Sequence, residues 1–308
     1  MDNLEFPVEN YEDKLSQFYK NNILSLNVKD GHEDVAGIIG GDINLNKEEI
    51  YSDGDTKVFV GYNKDTGDEV VVKEVNENPL APRTLEERSE VEKYLLDSNF
   101  SHPAACLPLK IIEKDGQLIK IYPRAKGDLE EYLKENSKLP PKEALMIAIS
   151  LSDVVEKLHQ INVVHADIAP LNILIYDNGI KLSDFDDAYV SNFVKNKDGV
   201  NRFIMPPEFF KKGDQFDKTV DIYELGVNLY KFLSGKWPHE INEDGTTYEE
   251  RQEKYRELQQ NEKIEFPDSI PDAIRPIIEK AMSVDPKDRY PSARDLTNDL
   301  LKVYKTLE

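Results

Sequence analysis

The sequence predicts an α+β fold, because strand-like and helix-like runs are both distinct and the strand-like runs come as pairs joined by short turns. Residues 57–62 (K-V-F-V-G-Y) and 70–73 (V-V-V-K) flank the turn Asp65-Thr66-Gly67-Asp68, the layout of two adjacent strands. From 84 to 96 the composition turns to Glu, Arg, Leu and Lys with apolar residues at Leu85, Val91, Leu95 and Leu96. That pattern predicts a helix ending before His102-Pro103. Residues 172–176 and 180–182 flank Asp177-Asn178-Gly179 as a second hairpin, and 221–233 form an apolar helix closed by Ser234-Gly235.

With 308 residues and 39% hydrophobic content the chain has ample material for a core. A single cysteine, Cys106, excludes an internal disulfide framework and suits a reducing compartment. No apolar run approaches ~18 residues and no basic-then-apolar leader opens the chain, so neither membrane insertion nor a cleaved signal is expected. A cytoplasmic location is expected, or a host cytosol reached by a specialised secretion route that leaves no mark here. The net charge of −21 argues against nucleic acid or an anionic membrane as partner and favours basic protein surfaces. Residues 1–46 read as an extension, in which Tyr11, Leu15, Phe18, Tyr19 and Ile23 share one helical face behind an Asn10 cap. That face packs on the following domain, or serves as a docking or regulatory helix.

Chemistry concentrates between Val164 and Val190. Asp167 stands two residues after His165, Asn172 five after Asp167, and Asp184 on a turn beyond an apolar run. A carboxylate, an amide and a second carboxylate are what phosphoryl transfer from Mg-ATP needs: a base or orienter for the hydroxyl, then two oxygen ligands for Mg²⁺. Each fragment alone is commonplace; their joint spacing is specific. The stretch resembles the catalytic and metal loops of the protein kinase family, written H-R-D-x-x-x-x-N and D-F-G.

The resemblance extends over residues 47–306. Val70-Val71-Val72-Lys73 resembles the V-A-I-K strand, whose Lys holds phosphates, and a Glu of the next helix should pair with that Lys. Glu92 fits because Leu95 and Leu96 follow it, with Glu90 as the other candidate. Met205-Pro206-Pro207-Glu208 resembles A-P-E, and residues 285–292 resemble the segment whose Arg, here Arg289, meets that Glu. The implied fold is bilobal: a small antiparallel sheet with one main helix over 47–124, then a mainly helical lobe over 125–306. The resemblance implies a cleft in which Lys73, Glu92, Gly54, Val58, Val71 and Asp184 bind ATP and Asn172 and Asp184 hold Mg²⁺ or Mn²⁺. Asp167, Lys73, Asn172 and Asp184 are then the catalytic set, and His165, Phe185, Glu208, Asp221 and Arg289 structural. Pro123-Arg124-Ala125-Lys126-Gly127 is the implied hinge.

Several letters depart from the pattern. The glycine loop, Tyr51-Ser52-Asp53-Gly54-Asp55-Thr56-Lys57-Val58, keeps one glycine, with Asp53 and Asp55 turned to solvent or near metal. Asp186 replaces the Gly of D-F-G, a residue type that tolerates positive φ and offers Mg²⁺ another carboxylate. Ala166 removes the Arg that receives an activation-loop phosphate, so switching by that route is not expected. Ala169, Leu171 and Asn201 blur the marks of hydroxyl specificity; Ser/Thr is the assignment carried forward. Two alternatives stay open: a pseudokinase serving as a nucleotide-binding or scaffold module, and a small-molecule phosphotransferase resembling aminoglycoside or choline kinases. Partners beyond ATP and a protein substrate, including a regulatory one, and the oligomeric state stay open as well.

Overall fold

A computed structural model describes residues 43–307 apart from 65, 80, 82, 115, 191–193, 196–203, 211–214, 240–246 and 262. The expected helical face at 11–23, Ser191 and Asn201 lie outside the described residues.

Five antiparallel strands build the upper lobe: β1 (Ile43–Asp53), β2 (Thr56–Asn63), β3 (Glu69–Asn76), β4 (Lys110–Lys114) and β5 (Gln117–Pro123), in spatial order β1-β2-β3-β5-β4. The first strand begins at Ile43, inside the stretch read as an extension. Alternation along β3 divides its side chains between two faces. Val70 and Val72 pack with Ile121 on one face. Lys73 lies beside Val58 of β2 and Lys120 of β5, and Val71 beside Val60 and Tyr122, on the other. That second face carries helix α1 (Leu85–Asp97), which buries Val91, Glu92 and Leu95. Its start is fixed by a capping box: Glu87 N donates to Thr84 Oγ1 at 3.2 Å and Thr84 N to the Glu87 carboxylate at 2.8 Å.

Below lie α2 (Leu129–Asn136), α3 (Pro141–Gln160), α4 (Thr219–Ser234), α5 (Tyr248–Asn261), α6 (Arg275–Ala281) and α7 (Ala293–Tyr304). Helices α3 and α4 are buried along almost their whole length, so nearly all their positions are apolar or hydrogen-bonded. Leu145, Ile147, Ile149 and Leu151 are fully enclosed; each such side chain contributes about 1.5–3 kcal/mol of burial. Gly235 ends α4 at φ 78°, where a Cβ would stand 2.5 Å from the Ser137 carbonyl oxygen, so the left-handed cap and the close approach both require glycine. Among the described residues no helix is long and apolar enough to cross a membrane.

Short strands β6 (Gly127–Asp128), β8 (Ile173–Tyr176) and β9 (Gly179–Leu182) form a small sheet at the lobe junction, and β7 (Val163–Val164) pairs with β10 (Tyr189–Val190). The lobes are tied there by Cys106 N donating to Leu182 O and Leu182 N to Ala104 O, both 2.8 Å. Tyr176 Oη adds a bond to Pro123 O at 3.0 Å, and His102 Nε2 meets the α3 residue Asp153 at 2.9 Å. The chain is therefore α+β and bilobal, as its sequence patterns imply.

Candidate active site

The loop from His165 to Asn172 is held by buried polar side chains of α4. Asp221, fully enclosed, accepts from Ala166 N at 2.8 Å and His165 N at 3.0 Å, and its Oδ2 meets His159 Nε2 at 2.7 Å. Burial by itself would push the Asp221 carboxyl up; the His159 bond and charge, with the Ala166 amide, bring it below the usual value. Those two amide bonds support Ala166 at φ 57°, left-handed backbone that costs an alanine of order 1 kcal/mol. Next along, Ile168 N donates to Glu224 at 2.9 Å and Asn228 Nδ2 to Ile168 O at 2.5 Å. Asp167 projects from this clamped loop, and Asn172 Nδ2 donates to both its carbonyl (2.9 Å) and its Oδ2 (2.8 Å).

Pairing of Ile173 with Leu182 across β8 and β9 sets Asn172 beside Ser183, whose N and Oγ donate to Asn172 O at 2.8 and 3.0 Å. Asp184 is therefore one residue from the Asn172 side of the hairpin. Phe185 is buried edge-on against His165, with ring centroids 4.9 Å apart. His165 Nε2 donates to Ser183 O at 3.2 Å. The sequence reading placed the positive-φ residue of this turn at Asp186; it is Asp184, at φ 63°. Residues Phe185–Asp187 form a 3₁₀ turn with right-handed backbone, and its cap takes the left-handed conformation instead.

Lys73 Nζ stands 2.8 Å from Asp184 Oδ1 and 3.1 Å from Asp186 Oδ2. Its expected partner does not face it. Glu92, fully buried where Glu90 is exposed, instead meets Lys120 Nζ at 2.5 Å and accepts from Tyr122 Oη at 2.6 Å. Lys120 also pairs with Asp186 and donates to Arg88 O at 2.7 Å. Arg88 adds contacts to Asp186 at 3.3 Å and Asp55 at 3.1 Å. Burial opposes the charge on Asp186, yet Lys73, Lys120 and Arg88 outweigh it and hold the carboxyl well below its usual range. For Lys73 burial likewise lowers the value, and the two aspartates raise it above the ordinary lysine range. Glu92 goes the other way: burial raises it and Lys120 only partly compensates.

Arg83 was also not singled out from sequence. Its guanidinium donates to the carbonyls of Asp186 (2.7 Å), Ala188 (3.1 Å) and Asp187 (3.2 Å) and lies over the Tyr189 ring at 4.3 Å. The segment after the metal loop is thus gripped by a cation from the upper lobe, although position 166 is alanine. Arg83 and Lys120 carry no local signal; an arginine in a loop and a lysine in a strand read as solvated positions.

Val58, Val60 and Val71 share the Lys73 face of the sheet, giving an apolar ceiling beside the charged groups. Gly54 turns β1 into β2 at φ 52°, and a Cβ there would meet nothing within 4 Å, so the tip of the turn is uncrowded. Asp55 points to Arg88 rather than into solvent or toward the metal loop. Asn172 commits its amide nitrogen to Asp167, so its carbonyl oxygen is the atom a cation would meet. One amide oxygen and one carboxylate, Asp184, fit Mg²⁺ or Mn²⁺, which draw remaining ligands from phosphates and water. Asp186, offered from sequence as an additional ligand, is instead engaged by Lys73, Lys120 and Arg88.

Farther down, Arg289 and Glu208 form a buried fork-to-fork pair, Nη1–Oε1 and Nη2–Oε2 both 2.6 Å. A small antiparallel sheet over a helical lobe, with lysine, aspartate and asparagine converging at their junction, is the arrangement of phosphotransferases built on the kinase fold. The chain belongs to the protein kinase domain family, whose sequence model matches residues 48–301. It is similar to a probable serine/threonine-protein kinase of Clostridium perfringens, 27% identical over 68% of this chain and 30% of that protein. It is likewise similar to the serine/threonine-protein kinase PrkC of Bacillus subtilis, at 30% identity over 66% of this chain and 32% of that protein. The gamma catalytic chain of bovine phosphorylase b kinase, liver/testis isoform, is 29% identical over 75% of this chain and 59% of its own length. The chain therefore spans about a third of the bacterial relatives and under two thirds of the bovine one.

Proposed function

We propose that the chain is an ATP-dependent protein kinase that transfers the γ-phosphate, with Mg²⁺ or Mn²⁺, to a serine or threonine hydroxyl of a protein. The observation that carries the reading is the junction itself: Asp167 bonded to Asn172 at 2.8 Å, and Lys73 facing Asp184 at 2.8 Å. Asp167 is the base or orienter, its carboxylate fixed by the Asn172 amide in the attitude that meets the acceptor hydroxyl. Lys73 stays protonated beside its carboxylates and supplies positive charge to the phosphates; Val58, Val71 and the turn at Gly54 enclose the nucleotide. Asn172 and Asp184 would hold the divalent ion, which would supply positive charge to the transferring group. The names of the bacterial relatives support the Ser/Thr assignment, and the net charge of −21 favours a basic substrate surface.

One contact favours the pseudokinase alternative: Lys73 is also bonded to Asp186, a contact a triphosphate must displace. Labelled ATP with Mg²⁺ or Mn²⁺ and a mixed protein extract separates the readings. The kinase reading expects label on serine or threonine, reduced at least about 100-fold by Asp167→Asn with nucleotide affinity kept. Full turnover by that variant refutes the role of Asp167. A wild-type chain that binds no nucleotide with either ion is a scaffold, and label entering only small molecules makes it a small-molecule phosphotransferase.

A further inference from the structure

Two charged residues at the lobe junction sit in contact. Asp186, where the family pattern has Gly, brings a carboxylate to the metal loop, and Lys120 brings a buried cation to β5, directly beside Lys73 in the sheet register. Lys120 is fully enclosed and touches three things: Glu92 of α1 at 2.5 Å, Asp186 of the metal loop, and the Arg88 carbonyl at 2.7 Å. A buried charge persists only where opposite charges and acceptors surround it. Here Lys73, Lys120 and Arg88 face Asp184, Asp186, Glu92 and Asp55. Without Lys120 two cations would serve those four carboxylates, and Asp186, which already touches Lys73 at 3.1 Å, would hold that lysine more firmly against phosphate.

We propose that Lys120 is a second active-site lysine, a positioning residue that docks α1 and the turn Phe185–Asp187 on the sheet and shares the charge of Asp186 with Lys73. Lys120 and Asp186 form one device: each charge is tolerable because the other is present. This rests on the Mg-ATP reading above only for its effect on nucleotide, since the docking itself is a property of the chain without ligand.

The test is a double-mutant cycle of Lys120→Met, Asp186→Gly and both together, read first as melting of the nucleotide-free chain. The double variant should melt at least about 3 °C above the sum of the two single shifts, the size of coupling expected for groups in direct contact. Calorimetric titration with ATP and Mg²⁺ is the second reading. Lys120→Met should weaken binding about tenfold, and the double variant should return to within about threefold of wild type, because Asp186 then no longer holds Lys73. Lys120→Arg, which keeps the charge, should stay near wild type in both. Additive melting, an unaffected Lys120→Met titration, or a double variant as weak as the single overturns the proposal. A Lys120→Met chain that folds only with Asp186→Gly supports it; if neither folds it fails, because Lys120 then serves the core irrespective of Asp186. Absence of nucleotide binding by the wild type defeats the Mg-ATP reading instead, and the melting cycle alone then decides the docking role.

Discussion

Replacing Arg289 with methionine should be among the most damaging single changes outside the cleft. Its guanidinium makes two 2.6 Å bonds to Glu208 and donates to the carbonyls of Ser283 at 2.8 Å and Thr219 at 3.1 Å. Arg289 is 3% exposed and Glu208 7%, so water cannot replace what is removed. The stranded carboxylate costs about 3–5 kcal/mol, and the two carbonyls left without this donor push the loss toward the upper end. In a domain of this size each kcal/mol moves the midpoint by about 2–4 °C, so the melt should fall by roughly 10 °C or more. Urea unfolding of the nucleotide-free chain gives the free energy directly. Glu208→Leu with Arg289→Met removes both charges and should lose less than Arg289→Met alone, because no buried ion is left unpaired. A loss under about 1 kcal/mol for Arg289→Met, or a double variant no better than the single, would show that the pair does not bear on stability as argued.

Lys73→Ala and Asp184→Ala should each weaken ATP binding in the presence of Mg²⁺ by at least about tenfold in calorimetry, as each removes a charge facing the triphosphate or its cation; unchanged affinity in either would unseat that residue. Asp221 sets an acid limit on the fold: its folded value lies below the ordinary 3.8, so its contribution is complete above 3.8 and drains away as pH falls through the folded value. As pH falls below 3.8, denaturation midpoints should thus drop more steeply for wild type than for Asp221→Asn, and parallel curves there would contradict this. Phosphatase treatment should leave the rate of phosphate transfer unchanged, since Ala166 offers no cation to a phosphate on the loop and Arg83 already grips it. A Tyr189→Phe, Ser191→Ala chain that keeps its fold but loses most activity would show a phospho-switch after all.

Much of the scaffold is legible because its signals are local. The apolar run Val70 to Lys73, the change to Glu, Arg, Leu and Lys over 84–96, and the Asp177-Asn178-Gly179 turn each report their own backbone within a few residues. The spacing of Asp167, Asn172 and Asp184 is informative for the same reason, since one hairpin presents Asn172 and Asp184 at its two ends and Asp167 lies five residues before Asn172. Partner choice is where the reading parts from the structure. Glu92 is legible as the inward glutamate of α1, but its cation comes from Lys120, in a strand where Q-L-I-K-I-Y-P gives no hint that the lysine faces inward under a helix. Asp186 looks like a substitute for a flexible glycine, yet its role is set by charges 66, 98 and more than 100 residues away along the chain. Such contacts exist only once the lobes are assembled, and no window of sequence contains both ends.

The grip of Arg83 on the carbonyls of Asp186, Asp187 and Ala188 makes the start of the activation segment part of the upper lobe's load path. Any opening between the lobes must either stretch those three bonds or drag the segment upward with the sheet. In mechanical terms the mouth of the cleft and the platform beside Asp167 share a latch, and on the proposed function that latch would couple exchange of ATP to readiness for the acceptor.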